Sequence, residues 1–288
     1  MKIPKKIQPL IEDGIVDEVI RQLMSGKEAS VYVVRCGEEI RCAKVYKDAV
    51  KRSFKKAAQY QEGRKVRNSR RARAMEKGSK FGRAEQEQIW QNAEVDALYR
   101  LADAGVRVPQ PYGCFDGVLL MELVTDDEGV VAPRLNDVTM SKEQALEDHA
   151  VMMHYVKLML CAGLVHGDLS EFNVLVDDYG PVIIDLPQAV FAAANNNAPK
   201  MLARDVQNMT VYYAQYAPEL MQTRYAEEIW TLFEDGELHP DTALTGEFSD
   251  GDVHADVASV LAEINAVKEE EEAAQRRKRE ADEDASSV

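Results

Sequence analysis

Three short runs rich in β-branched residues open the chain, Ile15 to Met24, Ser30 to Arg35 and Arg41 to Tyr46, separated by Ser25-Gly26-Lys27-Glu28 and by Gly37-Glu38-Glu39. Runs of that length bounded by turn residues predict a small antiparallel sheet. From Glu87 to Ala104 the period changes: Ile89, Ala93, Ala97, Leu98 and Leu101 recur at helical spacing, and Gly105 closes the helix. A strand is expected from Val118 to Leu123, after Val108-Pro109. Beyond it helices dominate. Ser141 caps one whose apolar positions recur from Ala145 to Leu160, and two more are expected over Pro199 to Tyr216 and Pro218 to Leu232. Two short strands interrupt them, Asn173 to Val176 and Pro181 to Ile184, around the turn Asp177-Asp178-Tyr179-Gly180. Strands first and helices after predict an α+β fold in two lobes, residues 1–121 and 122–266, with a charged tail at 267–288. Glu269 to Glu272 and Arg276 to Arg279 in that tail give it nothing to bury.

Composition narrows the class. A hydrophobic share of 45% suits a globular protein, and no run is long enough to span a membrane. Cys36, Cys42, Cys114 and Cys161 lie far apart with no metal-ligand spacing, so reduced thiols in the cytoplasm are expected. The net charge of −15 hides an insertion at 47–83 that holds 14 Lys/Arg against three acids, a local balance of +11. Such a stretch is either a solvated loop or a patch for an anionic partner such as RNA, a ribosomal surface or an acidic protein; no aromatic interleaving marks a stacking platform.

The chemistry concentrates in His166-Gly167-Asp168-Leu169-Ser170-Glu171-Phe172-Asn173 and, after the second short strand, Ile184-Asp185. A carboxylate on a loop after a helix can take a hydroxyl proton, while an Asn five residues on and an Asp ending a hairpin strand converge on a divalent cation holding ATP phosphates. Lys44, among Cys42, Ala43 and Val45 on the third strand, is placed to reach those phosphates. Glu94 on the next helix is the expected ion-pair partner, with Glu85, Glu87 and Asp96 as competitors nearby. Gly26, Lys27 and Ser30 lie in a turn one strand before Lys44 that could cover phosphates, although it has one glycine and no Walker pattern.

These motifs resemble the RIO atypical serine/threonine protein kinases. The likeness runs from about Ile11 to about Asp256. It rests on Gly26-Lys27-Glu28-Ala29 with Val31-Tyr32, Arg100-Leu101 with Ala104-Gly105, His166 to Asn173, Ile184-Asp185-Leu186-Pro187-Gln188, Arg204-Asp205 with Asn208, and Gly236 to Pro240. The resemblance implies a bilobal protein-kinase-like fold, ATP with magnesium or manganese, serine autophosphorylation, an unknown protein substrate and no peptide-docking helices. It implies that Lys44 binds phosphate, Glu94 pairs with it, Asp168 is the catalytic Asp, and Asn173 and Asp185 hold metal. Met121 to Leu123 would be the hinge beside adenine, and Asp185 a candidate phosphoryl acceptor. No winged-helix pattern is read before Ile11, so the subgroup without one is expected, though Leu186-Pro187 departs from the small polar pair common there.

Ala217-Pro218-Glu219 copies the end of an ordinary kinase activation segment. Met201, Leu202, Val206, Met209, Val211 and Tyr213 give a periodic helix just before it, so Pro218 reads instead as a helix start. Ser170 agrees, because ordinary serine/threonine kinases usually carry a lysine there. Two other functions share much of this pattern: a small-molecule kinase of the aminoglycoside or choline type, and an RNA- or ribosome-binding module switched by ATP.

Overall fold

The computed structural model describes residues 3–26, 29–47 and 93–248. Lys27, most of the basic insertion and the charged tail lie outside these residues. The first lobe is a five-stranded antiparallel sheet built from β1 (Glu18–Ser25), β2 (Ala29–Cys36), β3 (Glu39–Tyr46), β4 (Pro111–Phe115) and β5 (Val118–Glu122), in the order β1-β2-β3-β5-β4. The three runs predicted at the start of the chain become β1 to β3, with β1 beginning three residues later than expected.

Alternation along β3 decides what the sheet covers. Ala43 and Val45 point to one face, where they pack with Val34, Val118 and Leu120 against Ile7, Leu10 and Val16. Helix α1 (Gln8–Glu12) supplies Leu10 to that cluster. Tyr46 points to the other face and joins Leu119, Leu98 and Leu101 in the main core. Lys44 shares the Tyr46 face by the two-residue period of a strand, so its ammonium is directed between the lobes.

Leu98 and Leu101 belong to helix α2, residues 93–103 as described, which ends at Gly105 with φ 82° as its spacing predicted. The strand β4 was not anticipated. Pro111 and Gly113 break its apolar pattern, yet Asp116 and Gly117 both adopt positive φ (43° and 79°), the two-residue turn that joins β4 to β5.

The second lobe is built on α3 (Lys142–Cys161), α4 (Ala198–Tyr213) and α5 (Tyr225–Glu234). Ser141 caps α3 as predicted, its side chain accepting from the Gln144 N–H at 3.2 Å. Between α3 and α4 lie two antiparallel pairs: β6 (Leu164–Val165) with β9 (Val190–Phe191), and β7 (Val174–Asp177) with β8 (Gly180–Ile183). The expected helix from Pro218 to Leu232 needs correction. Pro218–Gln222 forms a 3-10 turn and α5 begins only at Tyr225, so Pro218 opens a connector and not the helix. The helix expected to precede Ala217 is present as α4, and no extended loop fills its place.

Candidate active site

Three separate stretches of chain meet at Lys44. Its Nζ lies 2.6 Å from Glu94 Oε1 on α2 and 2.7 Å from Asp185 Oδ1 beyond β8. Glu94, and not the exposed Asp96, is therefore the partner on this helix; Glu85 and Glu87 lie outside the described residues. The Glu94 side chain is only 3% exposed, so these contacts offset the cost of burying it. Its second oxygen accepts from the Tyr46 hydroxyl, a contact that the sequence reading did not foresee. Burial works against the Lys44 ammonium, but Glu94 and Asp185 outweigh it and hold the group well above the ordinary lysine range. Burial likewise pushes Asp185 up, and Lys44 outweighs it so that the carboxylate sits below its usual range. Arg134, from the stretch before α3, adds to that pull.

The loop bearing Asp168 is held from below by α4. Both oxygens of the buried Asp205 accept backbone N–H groups, from Gly167 at 2.7 Å and Leu169 at 3.0 Å. Arg204 donates to the Gly167 carbonyl, and Asn208 Nδ2 to the Leu169 carbonyl at 3.0 Å. Positions i, i+1 and i+4 of one helix thus fix the backbone on both sides of Asp168. His166 completes the frame. Its Nε2 lies 3.1 Å from the Ile184 carbonyl and its Nδ1 accepts the Asp168 N–H at 3.3 Å, a tautomer with the proton on Nε2. Burial keeps this ring neutral.

Asp168 is exposed, and its Oδ2 accepts from Gln188 Nε2 at 3.1 Å. Asn173 donates its amide N–H to the Asp168 carbonyl at 2.9 Å. That leaves the oxygen of the same amide for a cation. With the Asp185 carboxylate it offers hard oxygen donors of the kind that divalent cations take. Asp185 adopts φ 65°, a left-handed conformation costly for a residue other than glycine, and such strain is concentrated at functional positions.

In the predicted phosphate turn, the Gly26 N–H donates to the Ala29 carbonyl at 2.9 Å, and the hydroxyls of Ser25 and Ser30 lie 3.1 Å apart. Lys47 ties the turn down through Ser25 Oγ at 2.9 Å and the Gly26 carbonyl at 2.5 Å. The sequence reading counted Lys47 only with the basic insertion. Met121 lies near the end of β5 and Leu123 just beyond it, where the sheet gives way to the second lobe. There Arg107 forms a two-pronged ion pair with Glu122 at 2.8 and 2.7 Å and reaches Asp177 at 3.0 Å. A cavity of about 520 Å³ lies elsewhere, between the start of α3 and the β7–β8 hairpin, and takes in none of the predicted site residues.

Asp205 permits a direct test of the loop support. Burial pushes its carboxyl up to about 7, against the two N–H donors and Arg204. A folded-state pKa above the unfolded one means that this group's contribution to stability is complete below about 4 and is lost as pH rises through about 7. Asp205→Asn replaces one acceptor by a donor facing an N–H. It is expected to cost about 2–3 kcal/mol, lower turnover, and remove this group's share of the slope between pH 4 and 7. Denaturant melts at pH 5 and 8 measure both effects; unchanged melts would show that the contacts carry no stability.

A RIO domain family model matches residues 30–226. The RIO-type serine/threonine-protein kinase Rio1 of Haloferax volcanii is 34% identical over 210 residues, covering 72% of this chain and 67% of that protein. Serine/threonine-protein kinase RIO1 of Homo sapiens is 30% identical over 224 residues, 77% of this chain and 38% of that protein. The protein of the same name from Chaetomium thermophilum is 29% identical over 230 residues, 75% of this chain and 43% of that protein. The chain thus spans less than half the length of these two eukaryotic relatives.

Proposed function

Because the chain belongs to the RIO family, we propose that it is an ATP-dependent phosphotransferase acting on protein hydroxyl groups, itself included, with Lys44, Asp168, Asn173 and Asp185 as its working residues. The observation that carries this reading is the contact of Lys44 with both Glu94 and Asp185, groups 50 and 141 residues away in sequence. ATP seated beside Met121 and Leu123, under the turn of Gly26, Lys27 and Ser30, brings its phosphates to Lys44. Asn173 and Asp185 would hold a magnesium or manganese ion, whose positive charge would offset the negative charge of the phosphates. Asp168 takes the proton of the acceptor hydroxyl as that oxygen bonds to the γ-phosphorus. The bond from phosphorus to the β–γ bridging oxygen breaks, and ADP leaves with it. His166 and Asp205 do no chemistry in this scheme; they keep Asp168 where the proton is released.

In this reading the lobes divide between Met121 and Glu122, with residues 122–266 as the second lobe. All four cysteines are free thiols, which suits a cytoplasmic protein. Among the described residues no helix is long and apolar enough to cross a membrane.

Purified protein incubated with γ-labelled ATP, magnesium and cell extract tests the reading. Label on serine or threonine, stable to hydroxylamine, is expected. Hydroxylamine-labile label at Asp185 would make that residue an acceptor as well as a metal ligand. Label confined to an amino alcohol or aminoglycoside, or binding without turnover, would overturn the protein-kinase reading.

The basic insertion serves, in this view, to hold an anionic partner such as RNA or a ribosomal surface. Deleting Lys51 to Arg73 is expected to lower affinity for RNA at least tenfold at physiological salt and to flatten its salt dependence, with basal ATP turnover kept. Filter binding across a salt series checks this; a loss of turnover matching that of Lys44→Ala would place the stretch in the catalytic machinery.

A further inference from the structure

We infer that Gln188 is a positioning residue for phosphoryl transfer, holding the Asp168 carboxylate by donating its side-chain N–H to Oδ2, an inference that rests on Asp168 being the catalytic base. The contact measures 3.1 Å and joins residues 20 apart in sequence. Only one orientation of the amide is favourable, because its oxygen turned toward a carboxylate would face like charge. Gln188 can therefore only donate here.

Two local features place it. Val165 pairs with Val190 and Leu164 with Phe191 in the β6–β9 ladder. The ladder brings the segment just before Val190 alongside the loop that leaves Val165. The second feature is a turn in which the Ala189 N–H donates to the Leu186 carbonyl at 3.0 Å. Pro187 occupies the second position of this turn, where its fixed φ is pre-set, and the fully buried Leu186 anchors the entry. The side chain that follows the proline is thus directed by a rigid backbone.

The contact matters because a carboxylate free to rotate spends part of its time with the wrong oxygen toward the incoming hydroxyl. The hydrogen bond from Gln188 to one oxygen restricts rotation of the group and so the edge it presents to the hydroxyl. Ordinary kinases usually place a lysine two residues after the catalytic Asp, a position held here by Ser170. The Gln188 amide itself brings no charge to the carboxylate.

The test compares Gln188→Glu and Gln188→Ala with wild type and Asp168→Asn, reading kcat, KM for ATP and melting temperature on the full chain. Gln188→Glu keeps size and shape but loses the N–H and faces Asp168 with a second acceptor. It is expected to lower kcat about ten- to a hundredfold, with KM for ATP within about twofold and the melting temperature little changed. Gln188→Ala should fall less, because it removes the donor without adding charge. A side chain that serves only packing would give the opposite order, with the isosteric Glu variant near wild type and the Ala variant impaired, and that result would overturn the inference. Loss of turnover in Asp168→Asn together with undiminished kcat in Gln188→Glu overturns the role of Gln188 alone. Turnover kept in Asp168→Asn removes the catalytic base itself, and the inference with it.

Discussion

Asp168→Asn is expected to lower kcat for phosphoryl transfer about 10²- to 10⁴-fold, the usual contribution of a positioned general base. The substitution keeps the shape of the side chain and the exposed position, and the loop backbone stays tied to Asp205, Arg204 and Asn208. Melting temperature should therefore change little. KM for ATP should also hold, because Asp168 faces the acceptor and not the nucleotide in the proposed scheme. Initial rates of label transfer from γ-labelled ATP, with a thermal melt of the same sample, decide the matter. A kcat within threefold of wild type would mean that the hydroxyl proton goes elsewhere.

Lys44→Ala should be the other severe change, with two separable effects. Loss of an ammonium from the phosphates is expected to lower kcat/KM for ATP about 10²- to 10³-fold. On sequence alone the substitution looks harmless to the fold, since no large apolar surface is uncovered. The structure changes that expectation. Glu94, with its side chain 3% exposed, loses its cation and, among the described residues, keeps the Tyr46 hydroxyl, and removing one partner of a buried pair costs on the order of 3 kcal/mol. A second substitution, Glu94→Gln, should recover most of that stability in the Lys44→Ala background while leaving turnover low. Denaturant unfolding and ATP turnover of the single and double variants separate the effects. A double variant no more stable than Lys44→Ala would show that the buried charge was not the cause.

How much of this was legible in the sequence differs by kind of interaction. Lys44 was readable because its neighbours Cys42, Ala43 and Val45 mark a buried strand, and alternation then fixes its face. Asp168, Asn173 and Asp185 were readable because one loop and one hairpin hold them at short spacings. Tyr46, Lys47 and Arg134 carried no such signal, and Gln188 stood out only within a resemblance motif. Each gains its place from a contact made across the fold, as when Gln188 meets Asp168, 20 residues earlier in the chain. Arg204, Asp205 and Asn208 stood out as part of a resemblance, but only the helix face of α4 beneath the loop shows what they hold. The missed strand β4 had a local signal after all, the Asp116-Gly117 turn, although Pro111 and Gly113 break its apolar pattern. Pro218 misled in the opposite direction, since proline suits the first turn of a 3-10 segment as well as that of an α-helix.

The contact between Lys44 and Asp185 also has a thermodynamic side. One ammonium serves two carboxylates, so under the proposed roles a cation arriving alone would have to compete with Lys44 for Asp185. Phosphates arriving alone would have to draw the same ammonium away from the same carboxylate. Each ligand would offer the partner that the other displaces, so positive cooperativity between the two is expected. The factor by which nucleotide tightens the metal would then be the factor by which metal tightens the nucleotide. The shared ion pair would disfavour half-filled states of the site and make metal and nucleotide load together.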